Sequence, residues 1–159
     1  MKTSMKRIII LFLVCGLMCI GSLKVQAASS SQKQTGEVTR IEWLKALTET
    51  FEMTVEEDNY PDNYYSDIDS SSEDYYDVML ATEFGLVDVE AGDPLKPDEP
   101  ATREFVAHTL NLCMGYQLEN DTYSFSEATS VTYPQDIQIA IDKGWLELVD
   151  GNFLPEQGI

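Results

Sequence analysis

Apolar residues recur every three or four positions in two pairs of stretches, a spacing that gathers them on one face of a helix. In the first pair they are Trp43, Leu47 and Phe51, then Val106, Leu110 and Cys113. In the second pair they are Val78 and Ala81, then Ile137, Ala140 and Ile141. Since no run of alternating apolar residues is long enough to argue for a sheet, the pattern predicts a mostly α-helical protein.

Glycine and proline mark the limits of the second pair of helices. Gly85 and Gly144 suit the left-handed turn that follows a helix. Pro134 suits a first helical position, where the missing N–H has no partner to lose. Each half of the chain is therefore predicted to run helix, loop, helix, loop.

The chain repeats itself once, and each copy also carries an aromatic-Ser-acid step (YSD, then FSE) and a closing proline. The corresponding segments are 38–53 (VTRIEWLKALTETFEM) with 101–116 (ATREFVAHTLNLCMGY), and 77–87 (DVMLATEFGLV) with 136–146 (DIQIAIDKGWL). Self-similarity of this kind indicates two copies of one structural unit. We predict repeat 1 at residues 38–101 and repeat 2 at residues 102–159.

The first 27 residues have the composition of an export signal. Three basic residues precede an apolar run, and Val25 and Ala27 supply the small residues that a signal peptidase needs. We predict cleavage after Ala27, a flexible linker at 28–37, and a secreted mature chain without a membrane segment. The alternative, an uncleaved membrane anchor, is disfavoured because a spanning helix needs about 20 apolar residues.

The mature chain is strongly acidic. All 28 acidic residues lie after Ala27 but only six basic ones do, which gives a formal charge of −22. Nucleic acid is therefore not an expected partner, because its phosphates would be repelled. Cys113 is the one cysteine outside the signal, so an exported chain has no disulfide framework and must be stabilised by packing.

Both repeats open with a threonine followed by an arginine. Thr39 and Glu42 fit a capping box, in which each side chain bonds the other residue's backbone amide. Thr102 is predicted to cap the corresponding helix of repeat 2. Capping leaves Arg40 and Arg103 unexplained, because a cation in the first turn opposes the helix dipole. Their recurrence in a chain with few cations indicates a separate role.

This order of motifs resembles the S-layer homology (SLH) repeat. The resemblance rests on VTRIEW and ATREFV, each followed by an amphipathic helix, an aromatic-Ser-acid step, a second helix ending in glycine and a closing proline. It implies an exported protein held non-covalently on the bacterial cell wall, with its repeats packed as a small helical bundle around a pseudo-threefold axis. It also implies grooves between repeats that bind anionic secondary cell-wall polysaccharide or a related wall polymer, often carrying pyruvate ketals.

The resemblance implies that the motif arginines, Arg40 and Arg103, bind the carboxylate of that polysaccharide. A guanidinium can meet a carboxylate through two parallel hydrogen bonds, and helix starts ordered by Thr39 and Thr102 add positive potential. These four residues form the predicted ligand-binding set. No catalytic residue, cofactor or metal is predicted, and we do not expect an enzyme. The alternative is that each arginine pairs with an acid of the neighbouring repeat.

The SLH family packs three repeats together. The sequence ends at Ile159, one residue before the position where a third Thr-Arg would stand. We interpret it either as a piece of a longer protein or as a two-repeat variant whose third groove is completed by another repeat, in cis or in trans.

Other candidate chemistry has less support. The acidic segment 54–74 lacks the glycine and glutamate of an EF-hand and is predicted to be a solvated loop with at most weak calcium binding. His108 and Cys113 are interpreted as a partly exposed helix residue and a core thiol, because neither spacing nor an acid partner indicates a catalytic pair. Two hypotheses stay open beside polysaccharide binding. One is a structural or protein-interaction module that uses the acidic loop, and the other is an N-terminal fragment whose activity lies beyond Ile159.

Overall fold

Four helices carry the architecture of the computed structural model, which describes residues 36–56 and 60–159. They are α1 (Arg40–Thr50), α2 (Tyr75–Glu83), α3 (Arg103–Met114) and α4 (Pro134–Asp142). Within the described residues there is no regular strand, only isolated bridges between extended residues, so the predicted α class is confirmed. The predicted signal at 1–27 and most of the linker at 28–37 lie outside the described residues. Among those that are described, no helix is long and apolar enough to cross a membrane.

The helix limits follow local sequence signals. At the start of α1, Thr39 Oγ1 accepts a hydrogen bond from the Glu42 amide at 3.3 Å, and Glu42 Oε2 accepts one from the Thr39 amide at 2.8 Å. The predicted capping box is therefore confirmed. At the start of α3, Thr102 Oγ1 accepts a single bond from the Phe105 amide at 3.3 Å.

The predicted start of α4 and the predicted glycines after α2 and α4 are confirmed. α4 begins at Pro134. Gly85 and Gly144 follow α2 and α4 closely and have φ values of 74° and 70°, a left-handed conformation that glycine adopts without steric cost.

Helices pack in two pairs, α1 against α2 and α3 against α4, and α1 also contacts α3. The core of the first pair contains Tyr65, Ile68, Tyr75, Val78, Met79 and Leu95. The core of the second contains Ala107, Phe125, Ile137, Ala140 and Phe153. A third cluster joins the pairs and contains Leu44, Leu47, Ala81 and Leu86 with Phe105, Leu110 and Cys113. Burial of apolar surface thus holds the two halves to each other as well as within themselves.

The acidic segment 54–74 is only partly a solvated loop. Tyr65 is fully buried and Ile68 is 7% exposed, and both belong to the core of the first helix pair. The Tyr65 hydroxyl lies 2.8 Å from Thr82 Oγ1 on α2. The prediction of a solvated loop was wrong for these residues, because two apolar side chains among many acids are enough to fix the segment when they reach a core.

Three extended residues close a cycle of backbone hydrogen bonds between the halves. The Ala101 amide donates to the Val38 carbonyl at 2.8 Å, and the Ile159 amide donates to the Ala101 carbonyl at 3.2 Å. The Val38 amide then donates to the Ile159 carbonyl at 2.8 Å. Each residue gives one bond and accepts one, so the segments before α1, before α3 and after α4 are tied together.

The segments that precede α3 and follow α4 also satisfy the exposed helix starts. The first two helical amides of α1 donate to the carbonyls of Glu99 and Pro97, at 2.9 and 3.1 Å. The corresponding amides of α3 donate to the carbonyls of Gln157 and Pro155, at 2.8 and 3.0 Å. These amides have no partner inside their own helix, so each closing proline segment completes the helix start beside it.

Candidate functional site

The guanidinium of Arg103 is bound to the chain that follows α4. Its Nε donates to the Phe153 carbonyl at 2.6 Å, and its Nη2 donates to the Glu147 carbonyl. Its Cζ lies 4.7 Å from the centre of the Phe153 ring. Burial lowers the pKa of Arg103, although an arginine in a protein stays charged. Arg103 therefore holds the C-terminal segment against the start of α3 through hydrogen bonds to its backbone carbonyls.

Arg40 makes a looser version of the same contact. Its Nη1 donates to the Leu95 carbonyl at 3.2 Å, and its Cζ lies 5.3 Å from the centre of the Phe105 ring, in the other half of the molecule. Its Nε is buried without a hydrogen-bond partner among the described residues. A buried donor left unpaired costs on the order of 1–3 kcal/mol, so the contacts of Arg40 within the described residues leave this donor unsatisfied.

Ion pairing does not account for either arginine. The ion pairs of the described residues involve Lys45, Lys96 and His108, and none includes Arg40 or Arg103. The alternative in which each arginine pairs with an acid of the neighbouring repeat is therefore not observed in that part of the chain. Backbone carbonyls take the place of those acids.

An acid also binds each of the two segments whose carbonyls accept from the arginines. The two carboxylate oxygens of Asp67 accept bonds from the amides of Leu95 and the next residue, at 2.8 and 2.7 Å. Glu127 Oε1 accepts from the amides of Phe153 and the next residue, at 3.0 and 3.1 Å. These are the acids of the aromatic-Ser-acid steps, so the sequence contained a signal for them without revealing their role.

A groove of about 240 Å³ lies where the two halves meet, and its walls come from both. Arg40 and Thr102 line it together with Glu104, Phe105 and His108. Thus two of the four predicted ligand-binding residues are brought together. Thr39 and Arg103 are not among the lining residues. The Thr39 side chain caps α1, and the Arg103 side chain binds backbone carbonyls after α4.

His108 stands in the wall of this groove with its ring held in place. Its Nδ1 lies 2.6 Å from Asp136 Oδ2 on α4, and Asn111 Nδ2 donates to the other carboxylate oxygen at 2.7 Å. The ring of Tyr133 stacks on the imidazole with centroids 3.5 Å apart and planes 9° from parallel. An acid partner for His108 is not evident from the sequence, because Asp136 lies 28 residues away and meets it only through the packing of α3 on α4.

Carboxylates also line the groove, but two of them already accept hydrogen bonds from the protein. Glu104 Oε1 accepts bonds from the amides of Thr132 and Tyr133, at 2.6 and 2.9 Å. Asp88 Oδ2 accepts a long bond of 3.4 Å from the Tyr133 hydroxyl. Burial, with a smaller contribution from the charge of Asp88, raises the pKa of Tyr133. The groove therefore combines Arg40 and the imidazole with carboxylates whose lone pairs are partly used.

The remaining candidate groups are separate from this groove. A depression of about 320 Å³ beside Tyr116 and Lys143 contains none of the predicted residues, and Lys143 Nζ lies 4.0 Å from the Tyr116 ring centre. Cys113 is a half-buried thiol whose pKa burial raises to about 11, in keeping with a core residue. In the described part of the chain, no three His, Cys, Asp or Glu side chains are grouped so as to hold a metal ion.

No protein-family model, characterised protein or solved structure significantly matches this chain. The resemblance to the SLH repeat thus stays a prediction from the motifs.

Proposed function

We propose that this chain is a non-catalytic module of the SLH type at the bacterial cell surface, and that it binds anionic, pyruvylated secondary cell-wall polysaccharide. The observation that carries the proposal is the position of Arg40, which lines the groove between the halves and whose guanidinium donates only to the Leu95 carbonyl among the described residues. A carboxylate bound there would accept a hydrogen bond from a charged donor, an interaction about twice as strong as one between neutral groups.

Two matched sets of contacts support the repeat on which the proposal depends. Each motif arginine donates to the carbonyl of the residue two before the closing proline, Leu95 in one half and Phe153 in the other. The acids Asp67 and Glu127 bind the amides of those same two residues. Agreement in both sets is what two copies of one folding unit would produce.

The backbone cycle supports the pseudo-threefold arrangement that the resemblance implies. Val38 and Ala101 each stand one residue before a Thr-Arg pair, and Ile159 has the same place relative to the last closing proline. In the cycle of hydrogen bonds, each of the three residues donates one bond and accepts one. Three equivalent positions in one cycle fit a bundle built around a threefold axis.

The roles of the four predicted residues differ within this proposal. Arg40 is the principal ligand contact, because it borders the groove and has an unused donor. Thr39 and Thr102 order the helix starts that present the arginines. Arg103 remains in the predicted set, but two of its nitrogens already hold the C-terminal segment.

Sedimentation with purified cell walls tests the proposal. The wall preparation is used before and after removal of its non-peptidoglycan polymer, with the wild-type chain, Arg40→Ala, Arg40→Lys and Arg103→Ala. Lys96→Ala is the matched control, because it removes one cation that pairs with Glu99 outside the groove. We expect the wild type and Lys96→Ala to sediment only with intact walls, and Arg40→Ala to bind about tenfold more weakly.

Arg40→Lys should recover only part of the binding, because an ammonium lacks the planar fork of a guanidinium. Equal sedimentation of all variants with both wall preparations would overturn the polysaccharide proposal. If the wild type binds stripped walls as strongly as intact walls, the result instead favours the second hypothesis, an interaction module for another wall component.

A further inference from the structure

We propose that His108 is a second anion contact in the Arg40 groove and that protonation of its ring strengthens binding there, an inference that rests on the function proposed above. His108 and Arg40 come from α3 and α1, on opposite halves of the molecule, and both line the groove. A ligand carboxylate between them would meet one permanent and one switchable cation.

The orientation of the imidazole makes this switch effective. Because Nδ1 is shared with Asp136 at 2.6 Å, a neutral ring keeps its proton on Nδ1 and presents a lone pair at Nε2. A protonated ring presents an N–H at Nε2 instead. Nε2 has no hydrogen-bond partner in the described part of the chain, so protonation changes the free side of the ring from an acceptor, which repels an anion, to a charged donor, which binds one.

The ring is also prevented from turning away. Asn111, which is 7% exposed, donates to Asp136 at 2.7 Å and so fixes the carboxylate that fixes the ring. Tyr133 stacks flat on the imidazole at 3.5 Å. A site held by a bonded carboxylate and a stacked ring loses little conformational entropy when a ligand arrives.

The charged and titratable groups that contact His108 or line the groove with it come from several elements. They are Glu104 on α3, Tyr133 and Asp136 at the start of α4, Asp88 after α2, Arg40 on α1 and Glu156 after α4. The variant His108→Gln separates the imidazole from these neighbours, because it removes the imidazole and leaves the other groups in place.

The test measures the affinity of the full chain for wall polysaccharide released from purified walls, at pH 5.5 and at pH 8. We expect the wild type to bind about tenfold more tightly at pH 5.5, the size of one added hydrogen bond to a charged group. His108→Gln keeps a polar side chain without the charge, so it should bind equally at both pH values and at the wild-type level of pH 8. Arg40→Ala should bind weakly at both.

A second readout needs no substitution. His108 is the only histidine of the chain, so its ring signals in proton NMR spectra report on one residue. Addition of the polysaccharide at pH 7 should move these signals towards the imidazolium positions. Ring signals that do not move would overturn the inference, even if His108→Gln fails to fold.

The outcomes separate this inference from the proposed function. If the wild type binds equally at both pH values while Arg40→Ala loses binding, the groove proposal stands and the role of His108 is wrong. If His108→Gln keeps the wild-type pH dependence, the role of His108 is again wrong. If the wild type does not bind the polysaccharide at either pH, both proposals are overturned.

Discussion

Arg40 and Arg103 occupy the same place in the two repeats but are held differently. Arg103 donates two bonds to carbonyls of its own half and stacks on Phe153 of that half. Arg40 donates one longer bond within its half and lies against Phe105 of the other half, with its Nε unpartnered. One motif position can therefore serve the fold in one copy and border a groove in the other, depending on which half supplies the neighbouring ring.

The largest expected effect comes from removing the arginine that is fully engaged. Arg103→Ala deletes two charge-assisted bonds and the stacking on Phe153, so we expect a loss of roughly 3 kcal/mol in the free energy of unfolding. Arg40→Ala deletes a single bond of 3.2 Å and should cost roughly 1 kcal/mol. Urea denaturation followed by circular dichroism measures both. Equal losses would contradict the structural difference between the two arginines.

Asp67 and Glu127, which bind the segments that accept from the two arginines, use their carboxylate oxygens differently, and amide substitutions can reveal this difference. Asp67 uses both oxygens, one for each amide, whereas Glu127 uses Oε1 for both. Asp67→Asn must turn an NH₂ group towards one backbone donor, so we expect a loss of roughly 2 kcal/mol. Glu127→Gln can keep its carbonyl oxygen on both amides and should lose about half as much. Denaturant midpoints compare the two, and a larger loss for Glu127→Gln would oppose this account.

Local features of the fold were predictable from the sequence, and these include the capping box, the glycines that follow α2 and α4, and Pro134 as the first residue of α4. Each depends on residues within one turn of the feature, where backbone geometry and hydrogen bonding are set by the residue types themselves.

Contacts between distant elements were not predictable in the same way. The pairing of His108 with Asp136, and the burial of Tyr65 within an acidic segment, depend on how helices pack. The groove was only half anticipated. Arg40 and Thr102 line it, but no pattern along the chain indicated that Arg103 would be turned towards carbonyls of its own half.

A smaller effect is expected where α1 meets α3. Trp43 Nε1 donates to Thr109 Oγ1 at 2.8 Å, a side-chain bond between the helix pairs, and Thr109 is fully buried. Trp43→Phe should lose about 1 kcal/mol of stability because the hydroxyl loses this partner. Trp145→Phe is the matched control, since Trp145 packs in the second core, away from α1.

Cys113 reports on the same contact between the halves. It packs in the cluster that joins them, and burial raises the pKa of its thiol to about 11, so little thiolate exists at pH 8. We expect slow reaction with a thiol reagent in the wild type, and faster reaction in Trp43→Phe than in Trp145→Phe. Equal labelling rates in the two variants would mean that the Trp43 bond does not hold the halves together.

The smallest expected difference lies between the two helix caps. Thr39 takes part in a reciprocal capping box, whereas Thr102 accepts one long bond and Phe105 offers no carboxylate in return. Thr39→Ala should therefore cost about 1 kcal/mol and Thr102→Ala about half of that, within the usual range for lost caps. Serine at either position keeps the hydroxyl and is the matched control, and chemical denaturation resolves the two losses. Removing the reciprocal partner with Glu42→Ala should bring the cost of Thr39→Ala down to that of Thr102→Ala. If it does not, the difference between the caps arises from packing around the threonine methyl group and not from the capping box.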